Sequence, residues 1–379
     1  MNLSFNEEQE ALRDSARSFL AENSSSEKIR QAMESESGYD PDLWRRIGAE
    51  LGWSAVVIPE EYGGLGLGPI ELVALMEEMG AALLCSPFFS SICLAGGAIL
   101  GGGSEAQKEE ILPGIASGET IATVAYTEAG GRWDAAGIEA TVRGDGSDFI
   151  LTGLKTFVPD GASAGLLVVA ARRDGTTGED GVSLFLVPAD TQGVEVRALP
   201  TVDQTRHQAE ITLRDVRLPA SSLLGAEGAG WPILSSAIDG ALVALAAEQL
   251  GGAQRCLDLT VAYAKERAQF GRPIGSFQAV KHKCADMLVL IESARSAVYY
   301  AAAAQAEGDP EVPTLASLAK AYCSDAYFRC AADSIQIHGG VGFTWEYDVH
   351  LYFKRAKSSE TLLGDAPFHR ERIARNIGL

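Results

Sequence analysis

Residues 265–274 read KERAQFGRPI, and this stretch decides the fold because it closes a long apolar helical segment with a sharp turn. Apolar residues at helical spacing fill the segment near 233–267, and Gly271-Arg272-Pro273 ends it. Basic residues in a last helical turn often only complement the helix dipole. An Arg and a Phe presented together at such a turn are equally suited to gripping a diphosphate and an adenine.

Helical periodicity also fills the chain on both sides of this segment. Toward the N-terminus, the zone from Asn6 to about Ile115 is helical, with Leu12, Ala16, Phe19 and Leu20 at helical spacing. Toward the C-terminus, a Gly-Asp-Pro turn at 308–310 separates two further segments. The C-terminal zone predicts a bundle of four helices, near 233–267, 276–307, 312–337 and 366–377.

The middle of the chain has a different pattern. Between about Glu119 and Leu224, short apolar runs alternate with Gly, Asp and Pro, and Gly144-Asp145-Gly146 is typical of a hairpin turn. We therefore expect a multi-domain α and β protein, whose order of elements excludes an alternating βαβ sheet. The expected domains are an N-terminal helical domain (1–117), a central antiparallel β domain (118–228) and a C-terminal four-helix bundle (229–379).

The net charge of the chain indicates which kinds of partner it can bind. Its 379 residues include 51 acidic and 31 basic side chains, which gives a formal charge of −20. Nucleic acid is not expected as a partner, because phosphate binding needs a basic footprint. The N-terminus resembles no signal peptide and the apolar stretch Ile92–Gly103 is too short for a membrane span, so a cytoplasmic location away from membranes is expected. No Cys or Cys/His cluster predicts a metal site.

Two glycine-containing segments are candidates for cofactor contacts. Residues 125–134 read AYTEAGGRWD at the end of an expected strand. There the Thr127 hydroxyl and glycine-exposed backbone N–H groups can bind a flavin edge or a pyrophosphate, although a plain turn is the simpler interpretation. Residues 336–343 read QIHGGVGF, where paired glycines allow a ligand to approach closely or merely cap a helix.

Four segments stand in a specific order along nearly the whole chain: Ile58 to Gly66 (IPEEYGGLG), Thr127-Glu128, Arg267 to Gly271, and Gly339 to Phe343. This set resembles the acyl-CoA dehydrogenase family. The resemblance implies the three domains described above, with FAD lying between the β domain and the bundle and reaching a neighbouring subunit, usually in a tetramer. It also implies an acyl-CoA substrate, whose α,β double bond is formed, and an electron-transfer flavoprotein as electron acceptor.

The resemblance also assigns expected roles to individual residues. Thr127 matches a flavin-contacting Thr, and Arg267 and Phe270 match residues that grip FAD across the subunit interface. Asp239 matches an Asp that helps to bind the CoA thioester. The full set of expected cofactor-binding residues is Thr127, Trp133, Phe157, Arg267, Phe270, Gln278, Gln336, Gly339 and Gly340.

The catalytic base that the family's reaction requires is missing from both usual places. Removal of the weakly acidic α proton needs a carboxylate within hydrogen-bond reach. Family members supply it as a Glu, either before a Gly near the C-terminus or at the start of the bundle's first helix. Here these positions are Leu363 and Ala241, neither of which can accept a proton. Asp365 is the candidate base that we take from the nearby carboxylates, with Glu360 and Glu248 as weaker candidates.

The expected cofactor loop departs from the family as well. Arg132 and Trp133 stand where small residues are usual, and the Ser that normally contacts the FAD diphosphate is absent. Arg132 could supply replacement charge, and Phe157 could stack on the flavin in place of a Trp. Pro159 stands where a Ser or Thr is common and has no side-chain donor.

Three functions therefore remain open from the sequence. One is an FAD-dependent acyl-CoA dehydrogenase with an unusual base such as Asp365. Another is a base-less partner subunit in a heteromeric dehydrogenase, of the kind the family shows in bacterial steroid side-chain breakdown, where a sister chain supplies the Glu. The third is a flavin monooxygenase of the same fold, whose chemistry needs no α-proton base.

Overall fold

The computed structural model describes residues 5–379, which divide into two compact units. A helical unit comprises Met1–Gln31, Pro69–Leu84 and Leu242–Leu379, and a unit that contains the main sheet comprises Ala32–Gly68 and Cys85–Ala241. Each unit is assembled from separate stretches of chain. The division into domains 1–117, 118–228 and 229–379 therefore stays a prediction.

The helices begin and end at recognisable signals. The first is closed at its N-terminus by a reciprocal capping pair, in which Asn6 and Gln9 each accept the other's backbone N–H. Gly308, in the left-handed conformation, ends one of the long C-terminal helices. The α-helices are α1 Glu7–Asn23, α2 Ser26–Glu34, α3 Pro41–Arg45, α4 Pro69–Ala81, α5 Gly97–Gly102, α6 Glu105–Ala116, α7 Gly230–Glu266, α8 Gln278–Glu307, α9 Val312–His338, α10 Val349–Thr361 and α11 Ala366–Asn376.

Two glycines let helices of the helical unit touch backbone to backbone. A Cβ on Gly80 of α4 would lie 2.0 Å from the carbonyl oxygen of Glu248 on α7. A Cβ on Gly251 of α7 would lie 1.8 Å from the carbonyl oxygen of Glu77 on α4. Only glycine at both places permits this approach, because any side chain would overlap the backbone of the facing helix.

The sheet unit is built on eight strands in the order β6-β7-β3-β2-β4-β5-β8, with β1 added beside β4. Apolar residues that include Leu151, Phe185 and Ile211 form its core. The register between β3 and β7 is broken twice, and the second break lies between Lys155 and Val158. Such irregularities bend a strand, and β3 is therefore bent there. The strands are β1 Ala122–Ala125, β2 Thr141–Asp145, β3 Asp148–Pro159, β4 Leu166–Arg173, β5 Val182–Pro188, β6 Val194–Leu199, β7 Gln208–Pro219 and β8 Leu223–Leu224.

The helical and strand zones predicted from the sequence are confirmed, with two corrections. The sheet is mixed rather than antiparallel, because β1 and β2 both run parallel to β4. Helix α10 was not predicted, since the buried polar residues His350 and Arg355 interrupt its apolar period. Among the described residues, α7 is long and apolar enough to cross a membrane, but most of its apolar stretch is buried, as is common in core helices.

Candidate functional site

In the sheet unit, the end of β1 and the bend in β3 are joined at Thr127. The Thr127 hydroxyl donates to the carbonyl oxygen of Thr156 at 2.6 Å. The N–H of Thr156 donates in return to the carbonyl oxygen of Thr127 at 2.9 Å. Two segments that the sequence separately assigned to the cofactor, around Thr127 and around Phe157, are therefore held side by side.

Phe157 lies at the irregular point of β3 and is presented outward. It adopts a left-handed backbone conformation (φ 55°) and is 45% exposed. This conformation costs about 1–2 kcal/mol for a residue with a side chain, and strained residues of this kind concentrate at ligand sites. The expected role of Phe157, stacking on a flat ring, is consistent with this presentation. Pro159, two residues on, is buried, and its carbonyl oxygen accepts from the Thr123 hydroxyl.

The loop after Thr127 contains open space at its glycines. A Cβ on Gly130 or Gly131 would meet no atom within 4 Å. Arg132 does not offer a free charge, because its guanidinium forms two hydrogen bonds with the carboxylate of Asp134, at 3.0 and 2.8 Å. Trp133 packs edge-on against the ring of Tyr126, with 6.3 Å between centroids.

Behind this loop lies a buried charge cluster, defined as Lys155, Glu128 and Arg172, to which the sequence analysis gave no role. All three side chains are buried, and the Lys155 ammonium donates to Glu128 Oε1 at 2.5 Å. Burial lowers the pKa of Lys155 to about 8, although the Glu128 carboxylate acts in the opposite direction. The three residues are far apart in sequence and match no spacing rule, so only the fold reveals them.

In the helical unit, the end of α7 turns through a two-stranded hairpin, with β9 at Ala268–Gln269 and β10 at Arg272–Pro273. Phe270 and Gly271 form its tip, both with positive φ, as two-residue hairpins require. The Phe270 side chain is 91% exposed. The Arg272 guanidinium lies 4.2 Å from the ring centroid of Phe277, and Phe277 meets Phe270 edge-on. We call residues 267–277 the Arg–Phe corner.

Four further residues of the expected cofactor-binding set, Gln278, Gln336, Gly339 and Gly340, also belong to the helical unit. Gln336 is exposed near the end of α9, and Gly339 and Gly340 follow it in a short 3-10 turn. A Cβ on either glycine would meet no atom within 4 Å. Gln278 begins α8 directly after the corner, and its amide nitrogen lies 3.4 Å from the His282 ring.

The two usual base positions are apolar and fully packed. Leu363 in the helical unit is 2% exposed, and Ala241 in the sheet unit is 0% exposed. Asp365 is the N-cap of α11, where its carboxylate accepts from the N–H of Phe368 at 2.9 Å. Glu248 is buried in an ion pair with Arg355 at 2.8 Å, and Glu360 pairs with Lys357 at 3.0 Å. Each nearby carboxylate thus has a structural partner, and the role of Asp365 as a base stays a prediction.

The turn that carries Leu363 is nevertheless tightly held. Leu363 has φ 61°, and Gly364 follows with φ 106°. The His369 Nε2–H donates to the carbonyl oxygen of Leu363 at 3.1 Å, while Lys320 donates to that of Gly364 at 3.0 Å. Burial and the neighbouring Lys320 charge lower the pKa of His369 to about 3, so the imidazole is neutral at pH 7. His369 therefore anchors the turn and does not orient the carboxylate of Asp365.

Asp239 is buried on α7 in the sheet unit, two residues before Ala241. Its expected role toward the CoA thioester stays a prediction.

The surfaces described here fit the expected cofactor, FAD. An exposed, strained aromatic beside an Arg in the helical unit suits an adenine and a diphosphate. Open glycines beside an outward Phe in the sheet unit suit a phosphate chain and a flat ring. Among the described residues, no group of three or more His, Cys, Asp or Glu side chains is placed to hold a metal ion.

Comparison with known proteins identifies relatives along the whole chain. Family models of the acyl-CoA dehydrogenase N-terminal, middle and C-terminal domains match residues 6–119, 123–216 and 228–378. The chain is 38% identical to acyl-CoA dehydrogenase IpdE2 of Mycolicibacterium smegmatis over 359 residues, which is 94% of this chain and 95% of that protein.

Two solved structures share the fold at full length. Butyryl-CoA dehydrogenase from Megasphaera elsdenii is 28% identical with a TM-score of 0.92, covering 100% of both chains. The ChsE4-ChsE5 complex from Mycobacterium tuberculosis contains a chain that is 30% identical with a TM-score of 0.90, covering 100% of this chain and 99% of that one.

Proposed function

Because the chain belongs to the acyl-CoA dehydrogenase family, whose members are FAD-dependent oxidoreductases, we propose that it is a subunit of a heteromeric acyl-CoA dehydrogenase. In this assembly a sister chain supplies the carboxylate that removes the α proton. When bound, the flavin accepts the hydride that leaves the β carbon. The observation that carries the proposal is that both base positions, Leu363 and Ala241, are apolar and buried.

The neighbouring carboxylates support this assignment. A base must be able to move toward the α carbon and exchange a proton there. The cap bond of Asp365 fixes its carboxylate at the start of α11, and the ion pair of Glu248 fixes that carboxylate among helices. Freeing either one would break a helix cap or leave the Arg355 charge buried without its partner, at a cost of several kcal/mol in the second case.

Thr127, Arg267 and Phe270 match residues that hold FAD in the family, which gives the chain a role in the assembly although its cofactor loop departs from the family pattern. The Arg–Phe corner projects from the helical unit, with Phe270 almost fully exposed. We propose that it grips the adenosine half of a cofactor seated on an adjacent chain, in a tetramer of two kinds of subunit. The ChsE4-ChsE5 relative is, by its name, a complex of two components, which supports this arrangement.

The wider setting follows from the same resemblance. We propose a cytoplasmic enzyme of fatty acid or steroid breakdown, with an acyl-CoA as substrate and an electron-transfer flavoprotein as acceptor. The apolar side chains at 363 and 241 leave the substrate's α carbon without a proton acceptor from this chain. Its own contribution is then to bind, orient and exclude water.

The test compares the chain expressed alone with the chain co-expressed with a Glu-bearing family member from the same genome. We expect acyl-CoA to bleach the flavin absorbance of the mixed assembly under anaerobic conditions, and not that of the chain alone. Replacing the sister chain's Glu with Gln should abolish bleaching, whereas Asp365→Asn in this chain should leave it unchanged. Rapid bleaching by the chain alone, lost in Asp365→Asn, would instead establish Asp365 as the base.

A further inference from the structure

The buried charge cluster of the sheet unit contains more positive than negative charge. Lys155 is 0% exposed, and Arg172 and Glu128 are each 7% exposed. Counting the buried side chains alone, two cations and one carboxylate leave one net positive charge in a place where desolvation is costly. The carboxylate of Glu139 also acts on Lys155, but it is exposed, so water screens its charge. A buried unbalanced charge calls for a partner of opposite sign.

Glu128 and Lys155 close the loop that follows β1. Glu128 Oε1 accepts the N–H groups of Glu139 and Ala140, each at 2.9 Å. The Lys155 ammonium donates to the same oxygen and lies 3.5 Å from the carbonyl oxygen of Tyr126. The start and the end of the loop 127–140 are therefore tied to one carboxylate.

Arg172 holds the same loop from strand β4, but without a carboxylate. Its guanidinium donates to the carbonyl oxygens of Ala135 at 2.5 Å and of Ile138, both in the loop. It also donates to those of Gly178 at 2.9 Å and Asp180 at 3.5 Å, in the β4–β5 connection. Carbonyl dipoles satisfy the hydrogen bonds of Arg172 but do not cancel its charge.

The outer face of the loop is where an anion could balance this charge. Gly130 and Gly131 are exposed and have open space around them. The cation that the loop itself carries, Arg132, is already neutralised by Asp134. Positive potential at the glycines therefore comes from beneath the loop, through a medium of low dielectric where charge acts over a longer range than in water.

We propose that Lys155 and Arg172 supply the positive charge that holds a dinucleotide's diphosphate at Gly130 and Gly131, with Glu128 setting its strength. The cluster acts through the loop and contains positioning residues, none of which touches the ligand. The identity of the ligand as FAD rests on the proposed function. The proposal about FAD binding does not depend on which chain supplies the base that removes the α proton.

Three variants distinguish the effect of the cluster's charge on FAD binding from its effect as a structural support of the loop. Lys155→Met leaves the cluster with no net charge, and Glu128→Gln leaves two positive charges while keeping an oxygen for the N–H groups of Glu139 and Ala140. The double variant restores one positive charge without any ion pair. Arg143→Met, which removes an exposed cation from β2, is the matched control.

The dissociation constant of FAD is measured on flavin-depleted protein in the assembly in which it purifies, with thermal unfolding as the check on folding. We expect Lys155→Met to weaken FAD binding by about fivefold to tenfold, because one partly screened unit charge that attracts the diphosphate is lost. The double variant should lie within about twofold of wild type, Glu128→Gln should bind more tightly, and the control should not change.

Weakening by all three variants would mean that the cluster only braces the loop, and the proposal would be overturned. If Lys155→Met does not fold, Glu128→Gln against the double variant still decides, because the two differ by one charge at the same site. FAD binding is measured without turnover. A negative result in this binding experiment can therefore be told apart from a finding that the chain carries its own base, which only turnover reveals.

Discussion

Lys320→Met is expected to flatten the rise in stability of the flavin-free protein between pH 6 and pH 9. Lys320 is a fully buried cation on α9, and within the described part of the chain its hydrogen-bond partners are a hydroxyl and two carbonyl oxygens, with no carboxylate. Its ammonium donates to the Ser324 hydroxyl at 2.9 Å and to the carbonyl oxygens of Glu360 at 3.1 Å and Gly364 at 3.0 Å. Methionine keeps the volume of the side chain and removes the titrating group.

The magnitude follows from the pKa of Lys320. Burial lowers it from 10.5 to about 7, although the charges of Glu360, Asp365 and Asp325 oppose the shift. The unfolded chain therefore binds more protons than the folded one between these two values, so stability rises as pH rises through that window. Between pH 6 and pH 9 the gain from Lys320 alone is about 2–3 kcal/mol.

Thermal unfolding of wild type and Lys320→Met is measured at pH 6 and at pH 9. The gain is the change in stability of wild type between the two pH values minus the change in stability of the variant. For a chain of this length it corresponds to a shift of about 3 °C in Tm. Lys281→Met, which removes an exposed lysine on α8, should follow wild type at both pH values. Identical pH dependence in wild type and Lys320→Met would show that Lys320 stays protonated in the fold, and the reasoning from burial would be refuted.

Three further substitutions test single contacts. Phe270→Gly should leave the Tm of flavin-free protein almost unchanged, because relief of left-handed strain of about 1–2 kcal/mol offsets the entropy cost of glycine, while flavin retention on gel filtration should fall. Asp365→Ala should lower stability by about 1 kcal/mol in denaturant titrations, through loss of the α11 cap, and spare turnover of the assembly. Gly251→Ala should lower the free energy of unfolding by about 3 kcal/mol or more and reduce the soluble yield, because the added Cβ would overlap the backbone of Glu77 on α4. Gly271→Ala is the control for this overlap, because its Cβ would meet no atom within 4 Å.

The sequence was sufficient for those parts of the fold that local signals control. Helix α7 ends before a Gly-Arg-Pro turn, and helix α8 ends at Gly308. Gly and Pro at such places are strong signals for the end of a helix. The direction of β1 had no such signal, since a run of four buried residues carries no information about the strand that it joins. The mixed character of the sheet emerges only from long-range pairing.

The candidate site divides in the same way. Thr127 and Phe270 sit in distinctive local motifs and could be proposed from them. The charge cluster could not, because a Lys, a Glu and an Arg in separate strands and loops have the same appearance in sequence as surface residues. Only burial distinguishes them, and burial of a charged side chain is a property of the folded structure.

The two kinds of site residue in this chain answer to different constraints. In the proposed assembly, a base acts in the site of the chain that carries it, whereas the projecting Arg–Phe corner reaches the cofactor of the chain next to it. In an assembly of two kinds of subunit, one chain with a base suffices for each productive site, but the corner is needed wherever a cofactor reaches across. The retention of the corner together with Leu363 and Ala241 in the core is what such a division of labour requires. The turn at Leu363 is held in its left-handed form by Lys320 and His369, so an apolar side chain at the proposed base position is compatible with a well-ordered backbone.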